Sequence, residues 1–160
     1  MGRTREYDED VVLRGAMQAF RRKGYLAASI KDLEAATGLT AGSIYNSYGD
    51  KAGLLAAAFA EYNRTVLRRR LADHAPEAAG LAGLRELFLS LLHEPNGESF
   101  GCLITNAAVE FGAAARPAGV DEGLQILSGA FADRLESVRR AGRLRVGVEP
   151  ATAAAKLLAL

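Results

Sequence analysis

The sequence holds a single cysteine, Cys102, in 160 residues, so no disulfide can form within the chain. It has no tryptophan and few other aromatic rings, five tyrosines and six phenylalanines. No apolar run approaches the roughly 20 residues that a membrane-spanning helix needs. The opening stretch MGRTREYDEDVV is charged and lacks the apolar segment of a secretory signal. These absences point to a reducing, cytoplasmic setting and argue against a disulfide-stapled or membrane-embedded chain. Catalytic signatures are missing as well. The two histidines, His74 and His93, fall in turn-like stretches. There is no Cys/His ligand spacing, no phosphate-binding glycine loop, no Gly-x-Ser-x-Gly and no His-Glu-x-x-His. An enzyme would need a nucleophile beside a base, or a metal cluster. A Cys102–His93 pair has no third group in view to orient it. The reading is therefore no enzyme, no catalytic residue, no metal and no cofactor.

Charge of one sign is lacking too. The formal net charge is +1, and residues 1–50 carry seven Lys/Arg against seven Asp/Glu. A basic excess is common in nucleic-acid-binding domains, so any such footprint here must be a local patch.

What is present is a globular composition, 49% hydrophobic. All four prolines (Pro76, Pro95, Pro117 and Pro150) sit between periodic segments, as helix punctuation does. No alternating β-branched pattern appears, so the chain reads as all-α. The first helix is expected over 7–23, with Val12, Ala16, Met17 and Phe20 inward and Gly24 as its stop. Ser29 can cap a second helix, with Asp32 completing a capping box. Ile30, Leu33 and Ala36 face inward there, and Gly38 ends it. Thr40 caps a third helix ending near Gly49. Asp50 caps a fourth, running to about His74, with Leu55, Phe59, Tyr62 and Val66 as its stripe. Three longer amphipathic segments follow. Their apolar sets are Leu84/Leu87/Phe88/Leu91/Leu92, Phe100/Leu103/Ile104/Ala107/Phe111 and Leu124/Leu127/Phe131/Leu135/Val138.

The stretch SIKDLEAATGLTAGSIYNSYGDKAGLL has helix–turn–helix dimensions. On a wheel of about 100° per residue, Ala41, Ile44 and Tyr48 of the third helix face its neighbours. Gly42 and Asn46 fall opposite, flanked by Ser43 and Tyr45. A small, polar, aromatic face of this kind suits a major groove: glycine permits close approach, and Asn and Ser can bond base edges. The cap residues Ser29 and Thr40 can also hold phosphates, and Lys51 would stand beside the backbone as a point charge. The same pattern occurs in helical proteins that touch no DNA, where Tyr45 would be a half-buried packing residue and Asn46 merely solvated.

Residues 8–62 resemble the N-terminal DNA-binding domain of the TetR family of transcriptional regulators. The run AMQAFRRKGYLAASIKDLEAATGLTAGSIYNSYGDKAGLL carries the marks in order: an aromatic-Gly-Tyr helix end, the capping Ser29, an Ala-x-x-x-Gly-Leu-Thr turn, and Ile-Tyr-x-x-aromatic followed by a lysine. The resemblance implies a recognition helix of Thr40, Ala41, Gly42, Ser43, Tyr45 and Asn46, phosphate contacts from Tyr45 and Lys51, and a packing role for Tyr48. Ala41 stands where the family often has a larger residue, and Asn46-Ser47 replaces its usual pair, so no operator sequence is implied. Arg3 and Arg5 form a basic arm that can follow the duplex, whereas Arg68-Arg69-Arg70 lies too far along the fourth helix and reads as a solvated face.

The resemblance also implies that residues 1–50 form a helix–turn–helix DNA-binding domain. Residues 51–160 would then form a larger helical ligand-binding and dimerisation domain, the helix over 50–74 connecting the two. An effector pocket would draw on Phe59, Tyr62, Phe88, Leu91, Cys102, Asn106, Glu110, Leu127 and Phe131. Cys102, Asn106 and Glu110 share one helix face at i, i+4 and i+8. At single-residue level the plainer readings are core for the phenylalanines, a backbone bond for Asn106, and surface exposure or an arginine partner such as Arg134 for Glu110. FGCLITNAAVEFG resembles a Gly-Cys-Leu subgroup in which the cysteine of some members senses electrophiles; a thiol at a helix N-terminus gains thiolate character. TetR-like proteins pair through their last two helices. This sequence stops at Leu160, inside what would be the first of them, and so reads as truncated there. The expected partners are operator DNA, a small-molecule effector and a second copy of the chain, with no membrane. The competing reading is a helical ligand-binding or interaction module without DNA binding.

Overall fold

A computed structural model describes residues 7–93 and 100–159. All regular structure among them is helical: α1 (Glu9–Lys23), α2 (Ile30–Thr37), α3 (Ala41–Tyr48), α4 (Lys51–Glu61), α5 (Arg68–His74), α6 (Gly80–Leu92), α7 (Leu103–Phe111), α8 (Ala118–Arg140) and α9 (Pro150–Leu158). The short polar residues that precede the first helices set their starts. Asp8 accepts from the N–H groups of Asp10 and Val11, Ser29 from Asp32, Thr40 from Ser43 and Asp50 from Gly53. Each takes up a donor that a helix start leaves without an intrahelical partner. Gly24 and Gly38 end α1 and α2 with φ of 78° and 72°, backbone that side chains other than glycine adopt at a cost.

The head is α1–α3. Val12, Leu13, Ala16, Met17 and Phe20 of α1 are buried, and Leu33 and Ile44 join them from the other two helices, both fully enclosed. Ala36 was expected to face inward but is exposed. Its place belongs to Thr37, whose hydroxyl donates to Leu33 O at 2.6 Å and accepts from Leu39 N at 3.2 Å. The reason is the closeness of α1. A Cβ on Gly15 would lie 1.9 Å from the Ala36 carbonyl oxygen, so α2 approaches with its backbone there and Ala36 is rotated out.

The connector is the expected single rod from residue 51 to 74, but it is not uniform. A π-helical stretch (Tyr62–Leu67) separates α4 from α5. The extra residue in this turn shifts the inward face. Leu55, Phe59 and Tyr62 are buried as expected, after which Asn63, Leu67 and Leu71 continue the stripe and Val66 is only half-buried. Asn63 donates to Gly119 O at 2.8 Å and to Glu122 at 3.3 Å, joining the rod to the start of α8. Arg134 of α8, also buried, donates to Ala75 O just past the end of α5 at 2.8 Å. The rod packs on α1 on one side and on α8 on the other, and α9 lies along α8.

The apolar set of α6 is buried only in part: Leu84 and Leu87 are inside, whereas Leu92 is 64% exposed and Phe88 lies at the rim, its ring 5.7 Å from that of Phe131. The tip that carries Pro95, and the arm with Arg3 and Arg5, lie outside the described residues. Of the three arginines in α5, Arg68 and Arg69 face solvent as expected, and Arg70 donates to Ser90 O.

Gly15 provides a test. Replacing glycine with alanine inside a helix ordinarily stabilises it by about 1 kcal/mol. Here the new methyl would meet backbone, so Gly15→Ala is expected to cost about 1–3 kcal/mol of overpacking. Urea unfolding followed by circular dichroism reads the sign; an unchanged or raised midpoint contradicts this packing.

Candidate nucleic-acid interface and effector region

The third helix shows two distinct sides. Ile44 is fully buried, and Tyr48 is half-buried against the core. Gly42, Tyr45 and Asn46 face outward, Tyr45 with 49% of its surface exposed; Ala41 and Ser43 are intermediate. The helix start is held by two side-chain acceptors. Thr40 Oγ1 accepts from Ser43 N at 3.2 Å and lies 3.1 Å from the Ser43 hydroxyl, and Glu34 Oε1 accepts from Ala41 N at 2.6 Å. Sequence reasoning missed Glu34, because a carboxylate seven residues upstream forms no local motif. It also missed Tyr7, whose hydroxyl donates to Ser47 Oγ at 2.8 Å and braces the far end of α3.

Gly42 is the informative residue. Gly15 and Gly53 are needed inside the protein, since a Cβ at either would lie within 2 Å of a backbone oxygen. A Cβ on Gly42 would have as its nearest neighbour Thr40 Oγ1, at 3.9 Å, an ordinary contact. Nothing within the described residues requires a glycine there. A glycine inside a helix costs about 1 kcal/mol relative to alanine, a cost that packing within the described residues does not account for at Gly42.

The cap of α2 is a complete capping box. Ser29 Oγ accepts from Asp32 N at 3.2 Å, and Asp32 Oδ2 accepts from Ser29 N at 2.9 Å. Lys23 Nζ lies 2.6 Å from Asp32 Oδ1. The Lys23 bond first, and then those from Ser29, hold the Asp32 carboxyl well below the usual carboxylate range. Lys51 does not stand out toward solvent as a free point charge. Its ammonium donates to Tyr25 O at 2.7 Å and Ala28 O at 2.9 Å, and sits 4.4 Å from the Tyr25 ring centre. It fastens the α1–α2 corner to the start of α4.

The nine residues expected around an effector differ in their surroundings. Phe59, Tyr62, Cys102, Leu127 and Phe131 are buried, Leu91 is half-buried and Phe88 is at the rim. Tyr62 Oη donates to Cys102 Sγ at 3.4 Å, and burial, then the nearby thiol, raise the Tyr62 hydroxyl well above its usual range. Cys102 is the N-cap of α7, as its sequence position implies, but is only 5% exposed. Asn106 is exposed and donates to Phe100 O at 2.6 Å, the plainer of its two expectations. Glu110 does not pair with Arg134: its two oxygens accept from the backbone of Tyr25 and Leu26 at 2.8 and 2.7 Å. Phe59, Asn106 and Glu110 border a void of only about 10 Å³, at the lower limit for a single water. Larger open grooves lie elsewhere, one of about 510 Å³ between α1 and α2 and one of about 630 Å³ between α1 and the rod.

Residues 12–58, which span the head and the start of the rod, match the family model for bacterial regulatory proteins of the tetR family. These residues carry the N-terminal domain of the TetR family. Over 117 residues it is 32% identical to an uncharacterised HTH-type transcriptional regulator, YezE, of Bacillus subtilis, matching 69% of this chain and 58% of that protein. Over 84 residues it is 33% identical to the HTH-type transcriptional repressor AcnR of Corynebacterium glutamicum, matching 52% of this chain and 40% of that one. The chain thus spans about half the length of the curated relatives it matches. Among solved structures, a cysteine-substituted form of the TetR-family regulator CifR, bound to a 26-base-pair operator duplex, superposes with a TM-score of 0.74 at 26% identity, covering 99% of this chain and 84% of that one. The reduced form of Escherichia coli NemR shares the fold, with a TM-score of 0.73 at 18% identity, covering 94% of this chain and 80% of that one. Both structures match the architecture on both sides of the rod.

The capping box makes a pH prediction. A carboxyl held low in the folded state adds stability above its ordinary value of 3.8 and loses it only as pH falls through the lowered value. The Asp32 side-chain carbon, followed by NMR, should therefore remain at its ionised shift at pH 3.8, where a free aspartate is half-protonated. A midpoint near 3.8 would contradict the bonds to Lys23 and Ser29.

Proposed function

We propose that this chain is a DNA-binding transcriptional regulator, acting as a repressor that two copies of the chain carry onto a palindromic operator and that a small molecule releases. The observation behind the reading is the outward face of α3: Gly42 is bare where the fold needs no glycine, with Tyr45 and Asn46 beside it on the same exposed side. A backbone stripped of side chain lets a helix approach base edges closely, and an adjacent amide and phenol supply hydrogen bonds to bases and phosphates. The relatives support the same reading, a transcriptional repressor in one case and a regulator bound to an operator duplex in another.

Pairing follows from information content. A single head reads too few base pairs to find one site in a genome, and two heads about one helical turn apart, or a multiple of that, read a palindrome. The setting of such a protein is the cytoplasm, where the DNA is. The effector would enter among α4, α6, α7 and α8, around Tyr62, Phe88, Leu91, Cys102, Leu127 and Phe131. Because these side chains now pack on one another, its binding would need the helices to part, and that strain is what would reach the head.

The test uses a duplex selected by the protein from a randomised pool, with binding read by fluorescence anisotropy. Affinity should fall linearly with salt on logarithmic axes as counterions are released. Tyr45→Ala combined with Asn46→Ala should weaken binding about tenfold or more. Gly42→Ala should leave the urea midpoint unchanged or raise stability by up to about 1 kcal/mol, while weakening DNA binding. A Gly42→Ala variant that is both destabilised and fully competent for DNA would overturn the reading in favour of a helical module without DNA binding.

A further inference from the structure

Helix α7 is fastened to the head at both ends. At its C-terminal end the Glu110 carboxylate takes both N–H groups of the α1–α2 corner, Tyr25 N on Oε2 at 2.8 Å and Leu26 N on Oε1 at 2.7 Å. At its N-terminal end Arg21 of α1 donates Nε and Nη2 to Gly101 O, at 3.1 and 2.8 Å. The neighbouring Arg22 lies over the Phe100 ring at 5.0 Å. Phe111 sets its ring 5.2 Å from that of Tyr25 beside the carboxylate contact.

Three observations indicate that the Glu110 contact serves the head rather than α7 itself. Glu110 lies in the last turn of α7, where the helix dipole disfavours a carboxylate. The adjacent Val109 is 85% exposed, so solvent is close at hand. Gly24 leaves the room that the carboxylate occupies: a Cβ there would lie 3.0 and 3.1 Å from the two Glu110 oxygens. The same corner is gripped from α4 by Lys51, through the carbonyls of Tyr25 and Ala28. One short loop is thus held by its N–H groups from α7 and by its C=O groups from α4.

We propose that Glu110 is the residue that makes α7 move as one body with the α1–α2 corner, so that a shift of α7 reorients the DNA-reading helix by a route that does not pass along the α4–α5 rod. The consequence for DNA rests on the regulator reading above; the mechanical link does not. A shift of α7 by a hydrogen-bond length would have to break both Glu110 bonds or carry the corner with it. The carboxylate is doubly bonded to backbone, and charge-assisted bonds of this kind are short and strong.

Two measurements test the link with Glu110→Gln, which keeps the shape and one acceptor oxygen, and Glu110→Ala. Circular dichroism establishes that each is folded. In the first, nitroxides are placed on α2 and α8 by Lys31→Cys and Asp133→Cys with Cys102→Ser, and labelled chains are diluted in unlabelled protein. The parent should give one narrow head-to-body distance, and both variants a broadened or displaced one. Distributions identical to the parent's in both variants overturn the proposal. In the second, hydrogen exchange is followed with and without the pool-selected duplex. In the parent, DNA should slow exchange in α3 and, through the joint, about threefold or more in α7. In Glu110→Gln the slowing should persist in α3 and vanish in α7. Slowing of α7 that survives in both variants overturns the proposal. If the duplex protects α3 in no protein, it is the regulator reading that fails, and the distance measurement alone decides the link.

Discussion

The burial of one side chain, Ile44, organises the candidate interface. Helix α3 has eight residues, far too few to be stable alone in water. Its orientation is therefore dictated from outside itself. Ile44 is fully enclosed beside Leu33 and Leu54, and burying a side chain of that size favours the docked state by about 1.5–3 kcal/mol. Once Ile44 points in, helical geometry turns Gly42 and Asn46 out, because residues two apart in a helix lie on nearly opposite sides. The caps from Thr40 and Glu34 then fix where the helix begins, and the Tyr7–Ser47 bond fixes where it ends. Face, start and end are set by separate contacts, which together leave the exposed stripe little freedom.

The corner between α1 and α2 is the second organising element. It is a few residues of loop, yet it meets α1 through the reversal at Gly24, α4 through Lys51 and α7 through Glu110. The rod that joins head to body is meanwhile interrupted by a π-helical stretch, a local irregularity that recurs at functional places in helices. Head and body are thus connected by a rod with a built-in irregularity and by a strap, α7, whose ends are both tied. A protein that reports the state of one end at the other needs contacts of this kind. Each must have two discrete arrangements, because packed cores switch rather than stretch.

Much of the head was legible in the sequence. Its signals are local: Ser29, Thr40 and Asp50 mark helix starts, Gly24 and Gly38 mark ends, and Ile44 with Tyr48 marks the inward side of α3. Ala36 failed because the periodic pattern takes no account of how closely a neighbouring helix approaches, and the absence of a side chain at Gly15 decides that. Val66 failed because a π-helical turn inserts a residue without announcing itself in the spacing. The effector region was the least legible. Sharing a helix face, as Cys102, Asn106 and Glu110 do by spacing, does not mean sharing surroundings. Cys102 meets Tyr62, Asn106 returns to its own chain at Phe100, and Glu110 reaches a loop 84 and 85 positions away in sequence. Contacts of that range leave no periodic trace.

The central claim is that the uncrowded side of α3 is shaped for a surface outside the protein, and that this surface is duplex DNA. The most direct measurement is an amide NMR titration of the isotope-labelled chain with a duplex it has itself selected. The account predicts that the largest shift changes fall on residues 40–46, with Ile44 and the amides of α8 and α9 moving least. Changes concentrated on the grooves beside α1, or an α3 whose amides stay still while the duplex binds elsewhere, would contradict it.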